Sequence, residues 1–252
     1  MGTLRRYSLS QNIRPLKITS QVDLDKIHTQ RRITMVRQHF DNSLNELQTS
    51  LIELSQLVER SISNSTASLL SYDHNLIERV ESDDDQIDDL TDFIEQSALN
   101  LIRTQQPVAS DLRILMSIIH ISVELERIGD YAEGLAHISS YIGPSPTIGV
   151  NSIITRMSEL SSTMMKNSIL ALVNRDVALA QSVIESDSEL DSLYKQNFKV
   201  LLEGMLNDSN AIEHGTYLTW AFHDFERIGD RAENIAERVV YLVTGNNRDS
   251  LT

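Results

Sequence analysis

The chain has 252 residues, 40% of them hydrophobic, and no cysteine, so it can build a sizeable core but neither disulfides nor thiolate metal sites. A formal net charge of -14 argues against nucleic acid as a partner and is compatible with binding cations. Glycine and proline are few (9 and 4), which reads as helical, and no apolar stretch approaches the roughly 18 residues of a membrane-spanning helix.

Residues 1–28 read as an irregular, basic N-terminal arm, since Arg5, Arg6, Arg14 and Lys17 stand there among the first 20 residues with no acid. No uncharged apolar run follows the arginine pair, so a secretory signal is not expected. Its charge suits contact with anionic lipid or an acidic partner, against the plainer reading of a disordered tail. From about Gln30 a helical period begins, with Ile33, Val36, Phe40, Leu44, Leu47, Leu51, Leu54, Val58 and Ile62 stepping by threes and fours. SYDHN (71–75) ends it, and a second helix runs from about 74 to 104. QQPVASD (105–111) is a turn, where Pro107 and Ser110 suit the start of a third helix that ends near Tyr141. IGPSP (142–146) holds half of the prolines and reads as a linker. A fourth helix covers about 151–173 and a fifth about 176–206; NDSN makes a turn at 207–210, and a sixth helix runs over 211–243, stopping before Gly245.

The two halves repeat. Asp73, Val80, Asp84 and Asp88 return 103 residues later as Asp176, Val183, Asp187 and Asp191. Glu126 and Asp130, within ERIGD, return 100 residues later as Glu226 and Asp230. We assign the three-residue difference to a longer QQPVASD turn. The expected fold is therefore all-α, two tandem three-helix bundles related by duplication: 29–141, a linker at 142–150, then 151–245, with a tail at 246–252.

Asp84 and Asp187 each lie four residues after a core valine and three before an apolar residue, and Glu126 lies seven after Ile119. Periodicity thus turns these acids inward or onto a helix seam. In an antiparallel hairpin, residues equally far from the turn are level. Asp84/Asp88 and Glu126/Asp130 are centred about Pro107, and Asp187/Asp191 and Glu226/Asp230 about NDSN. Four carboxylates facing each other repel by about 4 kcal/mol per close pair at an effective dielectric near 20, so protons or cations must relieve them. All-oxygen donors suit Mg, Mn, Ca or iron. Glu133, Glu233 and Asn234 stand close enough along their helices to add ligands, and Gly129 and Gly229 allow a neighbour to approach. A lone E-x-x-x-D would read as solvated surface, with Arg127 and Arg227 as its partners; duplication and levelness argue otherwise. His137 and His223 read as ordinary, and Met164 and Met165 as core.

QQPVASDLR (105–113), LERIGDYAE (125–133) and FERIGDRAENIAE (225–237) resemble the PhoU family, regulators of bacterial phosphate uptake, over about residues 30–245. The resemblance implies multinuclear metal clusters, iron or zinc, held by paired E/D-x-x-x-D motifs. It implies a cytoplasmic protein, peripheral at most to the inner face of the membrane. As partners it implies the phosphate ABC transporter, through its ATPase subunit, and the phosphate-sensing histidine kinase, with the phosphate-starvation response kept off when phosphate is plentiful. A homodimer is expected as well. Two other classes stand beside this: a metal-binding helical scaffold without a phosphate role, and a carboxylate-bridged di-iron enzyme. The latter is disfavoured because no glutamate has a histidine three residues later. No nucleophile–base pair or nucleotide-binding loop is visible either, so an enzyme is not expected.

Overall fold

The computed structural model describes the backbone of residues 21–143 and 149–245, and side chains from residue 37 onward within those ranges. The arm's Arg5, Arg6, Arg14 and Lys17, the linker prolines and the 246–252 tail lie outside the described residues. The helices are α1 (Gln21–Ser71), α2 (His74–Gln105), α3 (Ser110–Ile142), α4 (Asn151–Asn174), α5 (Val177–Asn207) and α6 (Ile212–Thr244), the last preceded by a 3-10 turn, Ser209–Ala211. No strand occurs among the described residues.

The chain divides into two units, residues 1–42 and 43–252. In the first, Arg37 pairs with Asp41 at 3.0 Å and stacks over Phe40. Helix α1 starts at Gln21, so residues 21–28 are helical rather than irregular. Nothing between 21 and 71 is glycine or proline, so no backbone breaker stops the helix even where its apolar stripe is weak.

The second unit carries both bundles. Asp73 and Asp176, equivalent in the repeat, do the same local job. Each is extended at a helix start, and its carboxylate accepts from a backbone N–H, of Asn75 and Leu179 respectively, at 3.0 Å. Replacing such a cap by alanine costs about 1 kcal/mol. Leu54, Val58 and Ile62 of α1, Val80, Ile87 and Ile94 of α2 and Leu125 and Ile128 of α3 have no exposed surface and fill the first core. Val183 and Leu190 with Phe222, Phe225 and Ile228 fill the second. Each such side chain stabilises the fold by about 1.5–3 kcal/mol.

The three-residue difference between halves lies in the helices, not in the turn. Both connections take four residues, 106–109 and 208–211. Helix α2 has 32 residues against 31 in α5, and the rest accrues between the start of α3 and Glu126. Ser110 is the first residue of α3 rather than its cap; that place goes to Ala109, held at φ +48° without a side-chain hydrogen bond.

Within each bundle the third helix lies against the second, α3 on α2 and α6 on α5. Between bundles α3 packs along α6, and α1 meets α4 through Thr66–Ser158 (2.8 Å) and Glu59–Lys166 (2.8 Å). The α3–α6 seam is antiparallel. Arg113 lies at Gly245, Glu124 at Arg231 and Asn234, Tyr131 at Arg227, Gly134 at Asp224 and Tyr141 at Tyr217. The two copies of ERIGD are thus level at its centre.

Candidate metal centre

Glycine places the acids. A methyl group on Gly129 would come within 3.0 Å of Ile87 Cδ1 and 3.5 Å of Asp84 Oδ1. A methyl on Gly229 would overlap Leu190 and come within 3.6 Å of Asp187 Oδ1. The bare backbone lets α2 and α5 close onto the ERIGD helices, bringing one aspartate of each D-x-x-x-D to the motif.

Of the two positions periodicity allows, Asp84, Asp187 and Glu126 take the seam and not the interior. Asp84, Glu126 and Glu133 are half-buried, but Asp88 and Asp130 are exposed. Asp187, Asp191, Glu226, Asp230 and Glu233 are all half-buried. The buried acid of α2 is Asp83, held by the Arg60 guanidinium in two hydrogen bonds of 2.6 and 2.8 Å. Positions 83 and 84 both fall between Val80 and Ile87, and the one with a cationic partner goes inside.

Acids from facing helices share one field. Burial, and then Glu133, Asp88, Asp130 and Asp85, push the Asp84 carboxyl up to about 7. Burial raises Glu126 too, with Asp130 and Asp88 adding and Arg127 opposing. In the second half burial raises Glu226, helped by Asp230, opposed by Arg227, and raised further by Asp191 and Asp187. Asp84 Oδ1 is buried without a hydrogen bond. Glu226 Oε2 is buried with no donor aimed at it, although the His223 ring nitrogen is 3.3 Å away. His137 likewise stands beside Glu133 at 3.5 Å. Both histidines, ordinary by sequence, thus stand beside an acid of each set at three- and four-residue spacings.

Positive charge is distributed unequally. Lys195 Nζ lies 2.6 Å from Asp191 Oδ2 and also feels Glu226 and Asp187. Arg227 pairs with Asp230. In the first half Arg127 lies 3.9 Å from Glu124, and no lysine or arginine among the described residues makes an ion pair with Asp84, Asp88, Glu126 or Asp130.

Asn234 is drawn elsewhere. Its amide donates to Glu124 Oε2 at 3.2 Å across the seam, beside Arg231 at 3.3 Å, so it serves the joint between bundles. Glu124 is buried there. Its repeat equivalent, Asp224, instead faces Gly134, and burial pushes its carboxyl up to about 7. The sequence reading missed this pair, although an acid stands two residues before each ERIGD.

Among the described residues no three Asp, Glu or His side chains are gathered into one metal-binding group. The donors nonetheless suit a hard cation: they are carboxylate oxygens on facing helices, and two buried oxygens lack any hydrogen bond.

A duplicated three-helix bundle with an acidic glycine motif on the third helix of each copy defines the class. The PhoU domain model matches residues 51–139 and 154–239, and the chain belongs to the PhoU family. A phosphate-specific transport system accessory protein PhoU homolog from Clostridium acetobutylicum is 34% identical over 216 residues, covering 85% of this chain and 99% of that one. The crystal structure of PhoU from Pseudomonas aeruginosa superposes with a TM-score of 0.80 at 31% identity, covering 82% of this chain and all of that one. The phosphate transport system regulatory protein PhoU from Streptococcus pneumoniae gives 0.76 at 30% identity, covering 82% of this chain and 98% of that one.

Proposed function

We propose that this chain is a non-enzymatic regulator of phosphate uptake, coupling the phosphate ABC transporter, through its ATPase subunit, to a phosphate-sensing histidine kinase. The observation that carries the reading is a family match running through both bundles, to relatives named as accessory and regulatory proteins of phosphate transport. On this reading the protein works in the cytoplasm as a homodimer, at most peripheral to the membrane. No helix among the described residues is long and apolar enough to cross one.

Asp84, Asp88, Glu126, Asp130 and Glu133 would hold metal in the first half, and Asp187, Asp191, Glu226, Asp230 and Glu233 in the second. Iron or zinc, or else Mn or Mg, would supply positive charge that cancels carboxylate repulsion and ties the second helix of each bundle to the third. These residues would thereby fix a long helical face for partner helices. Glu126→Gln with Asp130→Asn should remove about half of the bound metal if the two sites load alike. Full metal content in that variant would remove the first-half assignment.

Deleting the gene tests the regulatory role. Phosphate-starvation genes should then be expressed in phosphate-rich medium. The full chain should restore repression, and a variant with Glu126, Asp130, Glu226 and Asp230 changed to amides should restore it poorly. Unchanged expression in the deletion strain would reject the regulatory role and leave a metal-binding scaffold as the better account.

A further inference from the structure

Between the α1–α4 and α3–α6 seams lies a cavity of about 190 Å3. Thr66–Ser158 and Glu59–Lys166 set α1 antiparallel to α4, and the same register brings Ile52 opposite Val173 at the cavity rim. Leu51, Ile118 and Ile169 are buried and make its apolar floor. Ser117 stands among them, 1% exposed, and its Oγ has no hydrogen-bond partner. A buried helical serine ordinarily donates to a carbonyl one turn back, as Ser122 of the same helix does to Ile119 at 2.9 Å. Ser61 and Thr91 also keep an unpartnered oxygen, but neither lines this cavity. At the rim stands Arg175, which follows α4; it is exposed and makes no ion pair with any described residue.

We infer that this cavity is a binding site for a small amphiphilic carboxylate. Its apolar body lies between the bundles, a hydrogen-bonding atom at its far end meets Ser117, and its carboxylate meets Arg175. The inference is independent of the metal and phosphate readings. The volume suits a single ring, since an apolar cavity of about 150 Å3 admits benzene. Water is a poor occupant, because it needs about two to four polar partners and the floor offers one hydroxyl. A purely apolar ligand would leave that hydroxyl unpaired, and a cationic one would meet repulsion from Arg175. Helices α1 and α3 wall one side and α4 and α6 the other, so an occupied cavity ties one bundle to the other.

The test titrates the full chain with 4-hydroxyphenylacetate, with phenylacetate, which lacks the hydroxyl, and with 4-ethylphenol, which lacks the charge, each followed by ligand-observed NMR. The wild type should bind 4-hydroxyphenylacetate saturably at millimolar concentration, on the order of fivefold more tightly than phenylacetate. Its preference over 4-ethylphenol should be about threefold, as suits an exposed arginine. Ser117→Ala should abolish the first preference and, because it removes an unpartnered hydroxyl, should not lower Tm. Arg175→Gln, at an exposed position, should abolish the second. No saturable binding by the folded wild type, or preferences that both variants leave unchanged, overturns the inference. Equal affinity for all three compounds would show an apolar void only and overturns it as well.

Discussion

Asp224→Asn should stabilise the protein, and more so at high pH. Asp224 lies on the α3–α6 seam opposite Gly134, and burial raises its carboxyl from 3.8 to about 7. The difference is about 3 units at about 1.4 kcal/mol each, so the ionised group costs at most about 4 kcal/mol, and less where water reaches it. The sign follows from proton counting. Below about pH 4 both folded and unfolded states are protonated and there is no cost. Between about 4 and 7 the unfolded chain releases a proton that the folded one keeps, so stability falls as pH rises; above about 7 the cost is constant. Asparagine has nearly the same shape and does not titrate. The stability gap between variant and wild type should widen by about 2 kcal/mol from pH 5 to pH 8, or about 5 °C in Tm. Thermal unfolding of both proteins at each pH measures it. Asp84, raised to about 7, is common to both proteins, so its contribution cancels. A gap that stays constant, or narrows as pH rises, would show that Asp224 is not held neutral by burial.

Glu124→Gln, at the mirror position, should have the opposite sense and lower stability by about 1–3 kcal/mol, because it leaves the Arg231 guanidinium without its countercharge; urea unfolding checks this. Gly229→Ala should lower Tm more than Gly129→Ala. The first forces buried Leu190 to repack, at about 1–3 kcal/mol, while the second meets only a tight 3.0 Å contact with Ile87, and alanine returns about 1 kcal/mol of helix propensity in each. Chelation of the purified protein should lower Tm by restoring carboxylate repulsion, and less in the Glu126→Gln, Asp130→Asn variant; equal shifts in both proteins would separate metal from the first acid set.

Much of this architecture was legible because it is local or periodic. The α1 stripe through Leu47, Leu51, Leu54 and Val58 is an arithmetic pattern, and hairpin symmetry about Pro107 brings α2 acids level with ERIGD without any knowledge of packing. The rest depends on partners distant in sequence. Whether Asp83 or Asp84 turns inward is decided by Arg60 on another helix. The pairing of Glu124 with Arg231 and Asn234 belongs to a seam between bundles, which no single-helix period encodes. Helix α1 begins earlier than its apolar stripe indicates, because no glycine or proline breaks it where the stripe fades.

The antiparallel seam between α3 and α6 has an evolutionary consequence. Two halves that meet through the same face of the same helix form, in effect, a two-fold dimer whose subunits have been spliced into one polypeptide. In a dimer of identical halves, any residue facing the axis is met by the same partner twice, so its pairing is made twice or not at all. Splicing lifts that constraint and, by making the association intramolecular, secures it at any protein concentration. The seam has used that freedom: an acid–arginine–amide cluster stands at one mirror position, and an acid facing a glycine stands at the other.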